Sequence, residues 1–370
     1  MKVTRNLLAA MLLLTAGCAS IKNNLAAPGL AESTMENETV FFSNDVDDRS
    51  ARLLFKPERV LAVRPANSDA LYVAGKDYEV DRDTGVIRLL PGSSIKSYNL
   101  LNDVSGTRRY KNRYRDGALF FHGEGAFVHD RQARVSYTYR GDALQAQPYF
   151  PKPQAEQLPN ITKGLRDKTA NRILLVGDSI SVGYNASGFV DAFPHQSAFG
   201  ELVVNRLKEQ SGAALTLVNI SRGGAGAGWG LNQLEKLTDV EPDLAIIAFG
   251  MNDGGHTNHV QNSDRYERSL RGIIEGLRAA QPQLDIILVA NMLPNAAFRP
   301  HAGHFENRQR LYKLAETFDR VVVADVMAVT EALLQRKKFA DISGNNLNHP
   351  NDFLHRVYAD VILGVLDSGQ

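Results

Sequence analysis

Four short segments carry the residue types that acyl transfer requires: Gly177-Asp178-Ser179, Gly223-Gly224, Gly250-Met251-Asn252 and His349-Pro350-Asn351. A serine hydroxyl becomes a nucleophile when a base takes its proton. A tight turn into a helix exposes the serine oxygen and points the helix N-terminus at developing negative charge. Ser179 fits this role. His349 fits the role of the base, because a neutral imidazole accepts the proton and returns it to the leaving group.

The elements that position these segments are predicted from apolar runs that alternate with helical stretches after residue 171. Strands are predicted at 173–176, 215–218, 244–248, 286–289 and 321–323. Apolar residues recur at helical spacing over 270–277 and 354–365, which predicts amphipathic helices. Continuous apolar strands alternating with helices indicate an α/β fold with a doubly wound parallel sheet. The sites of such sheets lie beyond the carboxyl ends of the strands, where three of the four segments fall.

In order and spacing, the four segments resemble those of the SGNH, or GDSL-type, hydrolases over about 200 residues, from Asn171 to the end of the chain. The resemblance implies a flavodoxin-like fold and an oxyanion hole formed by the Ser179 amide, the Gly224 amide and the Asn252 side chain. Gly223 is a near-equal alternative to Gly224, since the sequence does not fix the register of that loop. No cofactor is expected. No metal is expected either, because the spaced histidines lack acidic partners at metal-site spacing.

One position departs from the family pattern. Most SGNH hydrolases have an aspartate three residues before the histidine, where it orients the ring, and this chain has Asn346 there. An amide can hold the tautomer but supplies no charge to the imidazolium. Asp352, Asp341 and Asp325 are therefore alternative orienting acids. A rival reading makes His355 the base and Asp352 its partner, but His349 is favoured because Pro350 holds it in an extended loop.

The region before the predicted catalytic domain has a different pattern of residue types. Short runs rich in β-branched and aromatic residues predict a β-rich, sandwich-like domain over 36–144, with strands at 39–42, 52–55, 60–63, 70–73, 86–90, 118–121 and 133–139 and a hairpin turn at Asp83-Thr84-Gly85. The proline-rich segment 145–170 is predicted to be a linker, and 171–370 the catalytic domain. This organisation resembles two-domain bacterial carbohydrate esterases with an N-terminal β-sandwich.

The first residues predict export. Lys2 and Arg5 precede an apolar run that is too short to span a bilayer, and the chain's single cysteine, Cys18, follows small residues. This pattern resembles a bacterial lipoprotein signal over 1–17, with Cys18 lipidated and 18–35 serving as a tether. The alternative is a plain secretory signal. The expected location is the cell envelope, at the periplasmic face of the outer membrane or the cell surface, with the membrane contacted only through that anchor.

The predicted function follows from the predicted catalytic residues together with the predicted export signal. The leading hypothesis is a serine esterase that removes acyl groups, most simply acetyl, from a glycan or an acylated small molecule through an acyl-enzyme at Ser179. A lipid esterase, lysophospholipase or thioesterase of the same fold is the second hypothesis, and an inactive glycan-binding envelope lipoprotein is the third. Nucleic acid is not an expected partner, because 42 basic residues nearly balance 41 acidic ones without a basic cluster.

Overall fold

Six strands form the N-terminal part of the protein in a computed structural model, which describes residues 32–45, 49–100, 121–255 and 259–367. They are β1 (Glu32–Val40), β2 (Ser50–Arg52), β3 (Pro57–Pro65), β4 (Tyr78–Asp81), β5 (Val86–Leu89) and β6 (Ala133–Arg140). Two three-stranded antiparallel sheets result, in the orders β1-β6-β3 and β2-β5-β4. These sheets agree with the predicted smaller β-rich unit.

The N-terminal strands differ from the predicted ones in places. Residues 70–73 form no strand, because the Asp77 carboxylate accepts the Val73 amide (2.8 Å) and turns the chain towards β4, which the sequence did not reveal. The predicted strand at 118–121 lies almost wholly outside the described residues. The hairpin turn is present between β4 and β5, and Gly85 adopts there the positive φ of 73° that favours glycine.

Ordered structure extends into the segments predicted to be tether and linker. Strand β1 begins at Glu32, inside the predicted tether, whereas residues 1–31, with Cys18, lie outside the described part. The predicted linker contains helix α1 (Pro159–Arg166), whose first residue is a proline that is pre-set for helix geometry. Ile161 of this helix is fully buried, and its amide donates to the Asp285 carboxylate (2.7 Å). An eight-residue helix is too short to show a sustained period.

The C-terminal part alternates strands and helices. Its elements are β7 (Arg172–Gly177), α2 (Ser179–Val182), α3 (Phe199–Ser211), β8 (Thr216–Asn219), α4 (Ala227–Leu231), α5 (Leu234–Thr238), β9 (Leu244–Ala248), α6 (His259–Ala280), β10 (Asp285–Ala290), α7 (Ala302–Thr317), β11 (Val321–Asp325), α8 (Val326–Leu334), α9 (Phe339–Ile342) and α10 (Asp352–Leu366). The five strands are parallel, in the order β8-β7-β9-β10-β11. This is the flavodoxin-like order, so the predicted doubly wound fold is confirmed.

Alternate residues of the strands pack into two separate hydrophobic layers. In β7, Leu174 and Val176 face the layer that includes α6 and α7, whereas Ile173 and Leu175 face the layer that includes α3 and α10. The second layer continues into the N-terminal sheets through residues such as Tyr137. The β-rich unit therefore shares its core with one face of the α/β unit. Within the described ranges, no helix has both the length and the apolar character that crossing a bilayer requires.

Candidate active site

Ser179 lies at the turn between β7 and α2. Asp178 caps the helix by accepting the Ile180 amide (3.0 Å), so Ser179 is the first helical residue, and its own N–H has no acceptor within the helix. Gly177 permits the turn, because a Cβ there would lie 2.6 Å from the Ala248 carbonyl oxygen of the neighbouring strand. Local sequence thus dictates a sharp turn that presents the serine hydroxyl at the carboxyl edge of the sheet.

His349 meets Ser179 across this edge. Its Nε2 lies 2.9 Å from the Ser179 Oγ, although the two residues are 170 positions apart. The loop before α10 holds the histidine from behind, since the Ser343 hydroxyl (2.8 Å) and the Gly344 amide (2.9 Å) both donate to the His349 carbonyl. This is hydrogen-bond geometry for proton transfer between a hydroxyl and an imidazole.

The other ring nitrogen contacts Asn185, a residue that the sequence analysis did not identify. The Asn185 Oδ1 lies 2.7 Å from the His349 Nδ1, and its Nδ2 donates to the Gly125 carbonyl (2.9 Å). Because that carbonyl can only accept, the amide orientation is fixed, and the Oδ1 is left to accept the Nδ1 proton. The tautomer that results carries its lone pair on Nε2, which faces Ser179.

Asn345 is a second polar neighbour of the ring that the sequence analysis did not identify. Its Oδ1 accepts the backbone amides of residues 347, 348 and 349 at 2.9–3.1 Å, which fixes the turn before the histidine. Its Nδ2 lies 3.0 Å from the His349 Nδ1 and also faces Glu124 (3.1 Å) and Asn348 (3.2 Å). The Asn345 side chain donates its two amide protons to Glu124 and Asn348. The proton on the His349 Nδ1 is therefore accepted by Asn185.

Glu124 is the acidic side chain on the Nδ1 side of the ring. Its Oε2 lies 3.7 Å from the His349 Nδ1, and its side chain is 48% exposed. Partial burial tends to raise the pKa of Glu124, but hydrogen bonds and charge from His349, with the Asn345 amide, outweigh this and hold the pKa below its ordinary value. The carboxylate comes from the N-terminal part of the chain, from the segment that precedes β6.

The predicted orienting residues Asn346 and Asp352 do not hold His349. The Asn346 side chain donates to the Phe121 carbonyl (2.6 Å), because the residue adopts a positive φ of 59° that turns it towards the N-terminal part. The Asp352 carboxylate accepts the Ser187 amide (2.8 Å) instead. Asp341 and Asp325 are also engaged elsewhere, the first with the Phe41 amide and the second with Arg308.

The rival base His355 lies inside α10, where it is fully buried and stacks with Phe199. The Nδ1 of His355 accepts the Phe199 amide (3.3 Å). The histidine that contacts the Ser179 hydroxyl is His349. Burial lowers the pKa of His355 to about 3. The structure therefore favours His349 over His355 as the partner of Ser179.

The predicted oxyanion donors lie in the three segments that follow β7, β8 and β9 at the carboxyl edge of the sheet. Arg222 of the β8 loop donates its amide to the Gly177 carbonyl (3.1 Å), and the Asn252 Nδ2 donates to the Ala225 carbonyl (2.9 Å). Within the described residues, neither the Gly223 nor the Gly224 amide has a backbone acceptor, so both are available as donors. Gly224 has a positive φ of 75° and open space around it, whereas a Cβ at Gly223 would lie 2.8 Å from the Tyr184 hydroxyl.

Two buried carboxylates support these loops. Burial, together with the negative charge of Asp253, raises the pKa of Asp178 to about 7, although the Ile180 amide opposes the shift. Burial raises the pKa of Asp253 to about 6, although it accepts the Ala227 amide (3.0 Å). Each accepts a backbone amide of a loop at the site, so these residues brace the turns.

Aromatic side chains flank the Ser179–His349 pair. Tyr184 contacts the His349 ring edge-on at 5.4 Å, and Phe189 stacks on Tyr184 at 4.8 Å. Phe189 is 50% exposed, so one face of this aromatic pair is open to solvent. Trp229, the single tryptophan, instead packs against Phe249 from α4.

The described residues contain no cluster of three or more histidine, cysteine or acidic side chains that could hold a metal ion. Four histidines have i, i+3 spacing, His256 with His259 and His301 with His304, and His256 lies outside the described residues. The His304 Nε2 lies 3.2 Å from the Met251 carbonyl, and the His301 Nε2 lies 2.8 Å from the Pro294 carbonyl. These two histidines support loop backbone.

Residues 175–357 match the GDSL-like Lipase/Acylhydrolase family. No curated protein matches the chain. Solved structures with a similar arrangement include a two-domain esterase active on acetylated mannans, co-crystallised with mannopentaose, at 23% identity and a TM-score of 0.44. That match covers 57% of this chain and 54% of the esterase, so the similarity spans about half of that protein's length.

Two further structures resemble the same part of the chain. A carbohydrate esterase family 3 protein from Talaromyces cellulolyticus matches at 16% identity over 52% of this chain and 94% of its own, with a TM-score of 0.42. A lipolytic G-D-S-L family protein from Veillonella parvula DSM 2008 matches at 18% identity over 53% of this chain and 98% of its own, also at 0.42.

Proposed function

We propose that the protein is a serine esterase with Ser179 as nucleophile and His349 as base, since residues 175–357 match the GDSL-like Lipase/Acylhydrolase family. The observation that carries this proposal is the 2.9 Å contact between the Ser179 Oγ and the His349 Nε2. Asn185 supports it, since its Oδ1 leaves the lone pair of the ring on the nitrogen that faces the serine.

The reaction would run in two halves. In the first, the Ser179 oxygen bonds to the ester carbonyl carbon while its proton moves to the His349 Nε2. The C–O bond to the alcohol then breaks, and the alcohol oxygen leaves with that proton. In the second half, His349 takes a proton from water, the water oxygen attacks the acyl carbon, and the proton returns to the Ser179 oxygen as the carboxylic acid departs.

The developing oxyanion would be stabilised by fixed donors at the carboxyl edge of the sheet. These are the Ser179 amide, the amide of Gly224 or Gly223, and the Asn252 Nδ2, which has a second proton besides the one given to the Ala225 carbonyl. Each such donor contributes on the order of 3 kcal/mol to the transition state of acyl transfer.

We propose acetyl esters on a carbohydrate as the substrate class. The supporting feature is the aromatic pair of Tyr184 and Phe189. Tyr184 contacts His349, and the exposed Phe189 ring that stacks on it offers apolar contact to a sugar face. An acetyl group is small and requires little apolar enclosure around Ser179.

The proposed activity is tested with the purified protein on an aryl acetate. Turnover is expected for the wild type, and the Ser179→Ala variant should lose it by about 10⁴-fold or more. Aryl esters of increasing chain length then separate an acetyl esterase, whose kcat/KM falls with chain length, from a lipid esterase or thioesterase, whose kcat/KM rises. Wild-type protein without turnover on any ester would favour the inactive glycan-binding alternative.

The carbohydrate part of the proposal needs a separate comparison. Phe189→Ala should raise KM for an acetylated oligosaccharide by about tenfold, since one stacking contact is lost, and should leave hydrolysis of the aryl acetate nearly unchanged. Phe298→Ala, on the β10 loop, is a matched aromatic control. Equal effects of both variants on both substrates would contradict a sugar-stacking role for Phe189.

We also propose that the chain is exported and anchored to the cell envelope through a lipidated Cys18, a residue outside the described part. In a bacterial host, the wild type should partition into the detergent phase of a Triton X-114 separation, and Cys18→Ala should partition into the aqueous phase. Aqueous partition of both forms would contradict the anchor and favour a plain secretory signal.

A further inference from the structure

The N-terminal part of the chain reaches the Ser179–His349 pair through one short segment, Phe121–Gly125. Three hydrogen bonds fix the backbone of this segment to the catalytic loops. Asn346 donates to the Phe121 carbonyl (2.6 Å), the Gly123 amide donates to the Asn345 carbonyl (3.2 Å), and Asn185 donates to the Gly125 carbonyl (2.9 Å). The backbone is therefore held on both sides of Glu124.

Glu124 faces the ring nitrogen that Ser179 does not contact. One carboxylate oxygen lies 3.7 Å from the His349 Nδ1, and the other accepts the Asn345 Nδ2 (3.1 Å). Asn185, which accepts the Nδ1 proton, is a neutral amide. The nearby carboxylate can therefore supply the negative charge that an amide cannot give to an imidazolium.

We propose that Glu124 is a positioning residue, contributed by the β-rich N-terminal part, that stabilises the His349 imidazolium during acyl transfer while Asn185 fixes the ring's tautomer. The inference rests on the proposed serine-esterase function. The proton still moves only between the Ser179 oxygen, the His349 Nε2 and the leaving alcohol, and Glu124 stays ionised throughout. Its lowered pKa agrees with a carboxylate that interacts with this ring.

Half of the Glu124 side chain is exposed, so solvent screens its charge and the effect should be moderate. Other groups around the pair are His122 on the same segment, His355 behind the ring on α10, and the Tyr184 ring edge. None of these carries a negative charge at neutral pH, so Glu124 is the anionic group among these neighbours.

The test compares Glu124→Gln with Glu58→Gln. Glu58, on strand β3, is a matched control, because its side chain is 46% exposed and pairs with Arg140 of β6. Glu124→Gln should lower kcat on an aryl acetate by about tenfold, equivalent to about 1.4 kcal/mol, with KM nearly unchanged. Glu124→Asp should recover part of the loss, and Glu58→Gln should behave as the wild type.

The pH profile supplies a readout that a merely structural role would not move. Without the carboxylate the imidazolium is less favoured, so the acid limb of kcat/KM should move to lower pH in Glu124→Gln. NMR titration of the His349 ring should show the same displacement and does not require turnover. A Ser179-dependent rate with wild-type kcat and pH profile in Glu124→Gln would overturn the inference.

The two proposals fail in different ways. If Ser179→Ala keeps the wild-type rate, the serine mechanism is wrong. If Ser179→Ala is inactive while Glu124→Gln is unchanged, only the role of Glu124 is wrong. An unaltered His349 titration midpoint in Glu124→Gln would overturn that role even if no ester is turned over.

Discussion

The two sides of the His349 ring are built differently. On the Nε2 side, Ser179 comes from a strand–helix turn whose shape is set by its own neighbours, Gly177 and Asp178. On the Nδ1 side, Asn185 follows Ser179 by six residues and Asn345 precedes His349 by four. Glu124, however, belongs to the β-rich part, and the Gly125 carbonyl of that part also fixes the Asn185 amide. The nucleophile side is thus local in sequence, whereas the orienting side depends on how the two parts of the molecule pack together.

Loss of the His349 imidazole should have the largest effect on activity, because it removes both the contact with Ser179 and the contacts with the orienting residues. His349→Ala is expected to lower kcat/KM on an aryl acetate by about 10⁴-fold or more, since the serine loses its base. His195→Ala, an exposed histidine near Asp191, is the control and should keep the wild-type rate. Comparable losses in the two variants would mean that His349 has no special role.

The packing between the two parts depends on a buried ion pair, Lys337 with Glu38, in which both side chains are fully buried. Lys337→Met should lower the free energy of unfolding by about 3 kcal/mol, because it leaves the Glu38 carboxylate buried without its cation. Urea denaturation measures this loss.

The exposed Arg140–Glu58 pair is the control for the ion-pair measurement. Glu58→Gln should cost less than about 1 kcal/mol, since exposed pairs contribute little. In the double variant Lys337→Met/Glu38→Gln the loss should shrink, because the Glu38 charge is no longer buried without its cation. A stability of Lys337→Met equal to that of the wild type would show that the parts are held together in another way.

Removing the Nδ1 acceptor alone tests the orienting side. Asn185→Ala should reduce kcat by about 100-fold, because the ring can then adopt the wrong tautomer and rotate away from Ser179. Asn307→Ala is matched in burial, at 3% exposure for both asparagines, but lies between α6 and α7 and should leave kcat unchanged. If Asn185→Ala retains the wild-type kcat, the tautomer is fixed by another group.

The smallest effect concerns the nucleophile side and depends on pH. The pKa of Asp178 is about 7 in the folded protein and 3.8 for the free side chain, so the folded state binds the extra proton between these values. Its contribution to stability is fully present below about pH 4 and is lost as the pH rises towards 7.

Asp178→Asn removes this dependence. The melting temperature of the variant relative to the wild type should therefore rise between pH 5 and pH 8, by the equivalent of about 1 kcal/mol or more. The exposed Asp239→Asn control should show a constant difference over the same range. A constant difference for Asp178→Asn as well would contradict the raised pKa.

The sequence predicts the nucleophile side of the site better than the orienting side. The parallel sheet and the positions of Ser179 and His349 were accessible, because apolar strands and the loops at their carboxyl ends are local patterns. Asn185 and Asn345 were not, since asparagine in a loop is ordinarily a turn residue and Asn185 has the positive φ of 64° typical of one. The predicted orienting residue Asn346 does not contact the ring, because its side chain donates to the Phe121 carbonyl, which the sequence does not show.

Glu124 was inaccessible for a different reason. It lies 221 positions before Asn345, and only the docking of two separately patterned parts brings their side chains together. Helix α1 in the predicted linker was likewise inaccessible, because an eight-residue helix is too short to show a periodic signal. Contacts between parts of a chain depend on tertiary packing that local pattern does not encode.

Reaction of the protein with an aryl phosphonate, followed by peptide mapping, tests the central claim most directly. A phosphonate traps an activated serine, so the wild type should be labelled at Ser179, and His349→Ala should be labelled about 10³-fold more slowly. Absence of label at Ser179, or labelling at a rate that does not depend on His349, would contradict the account.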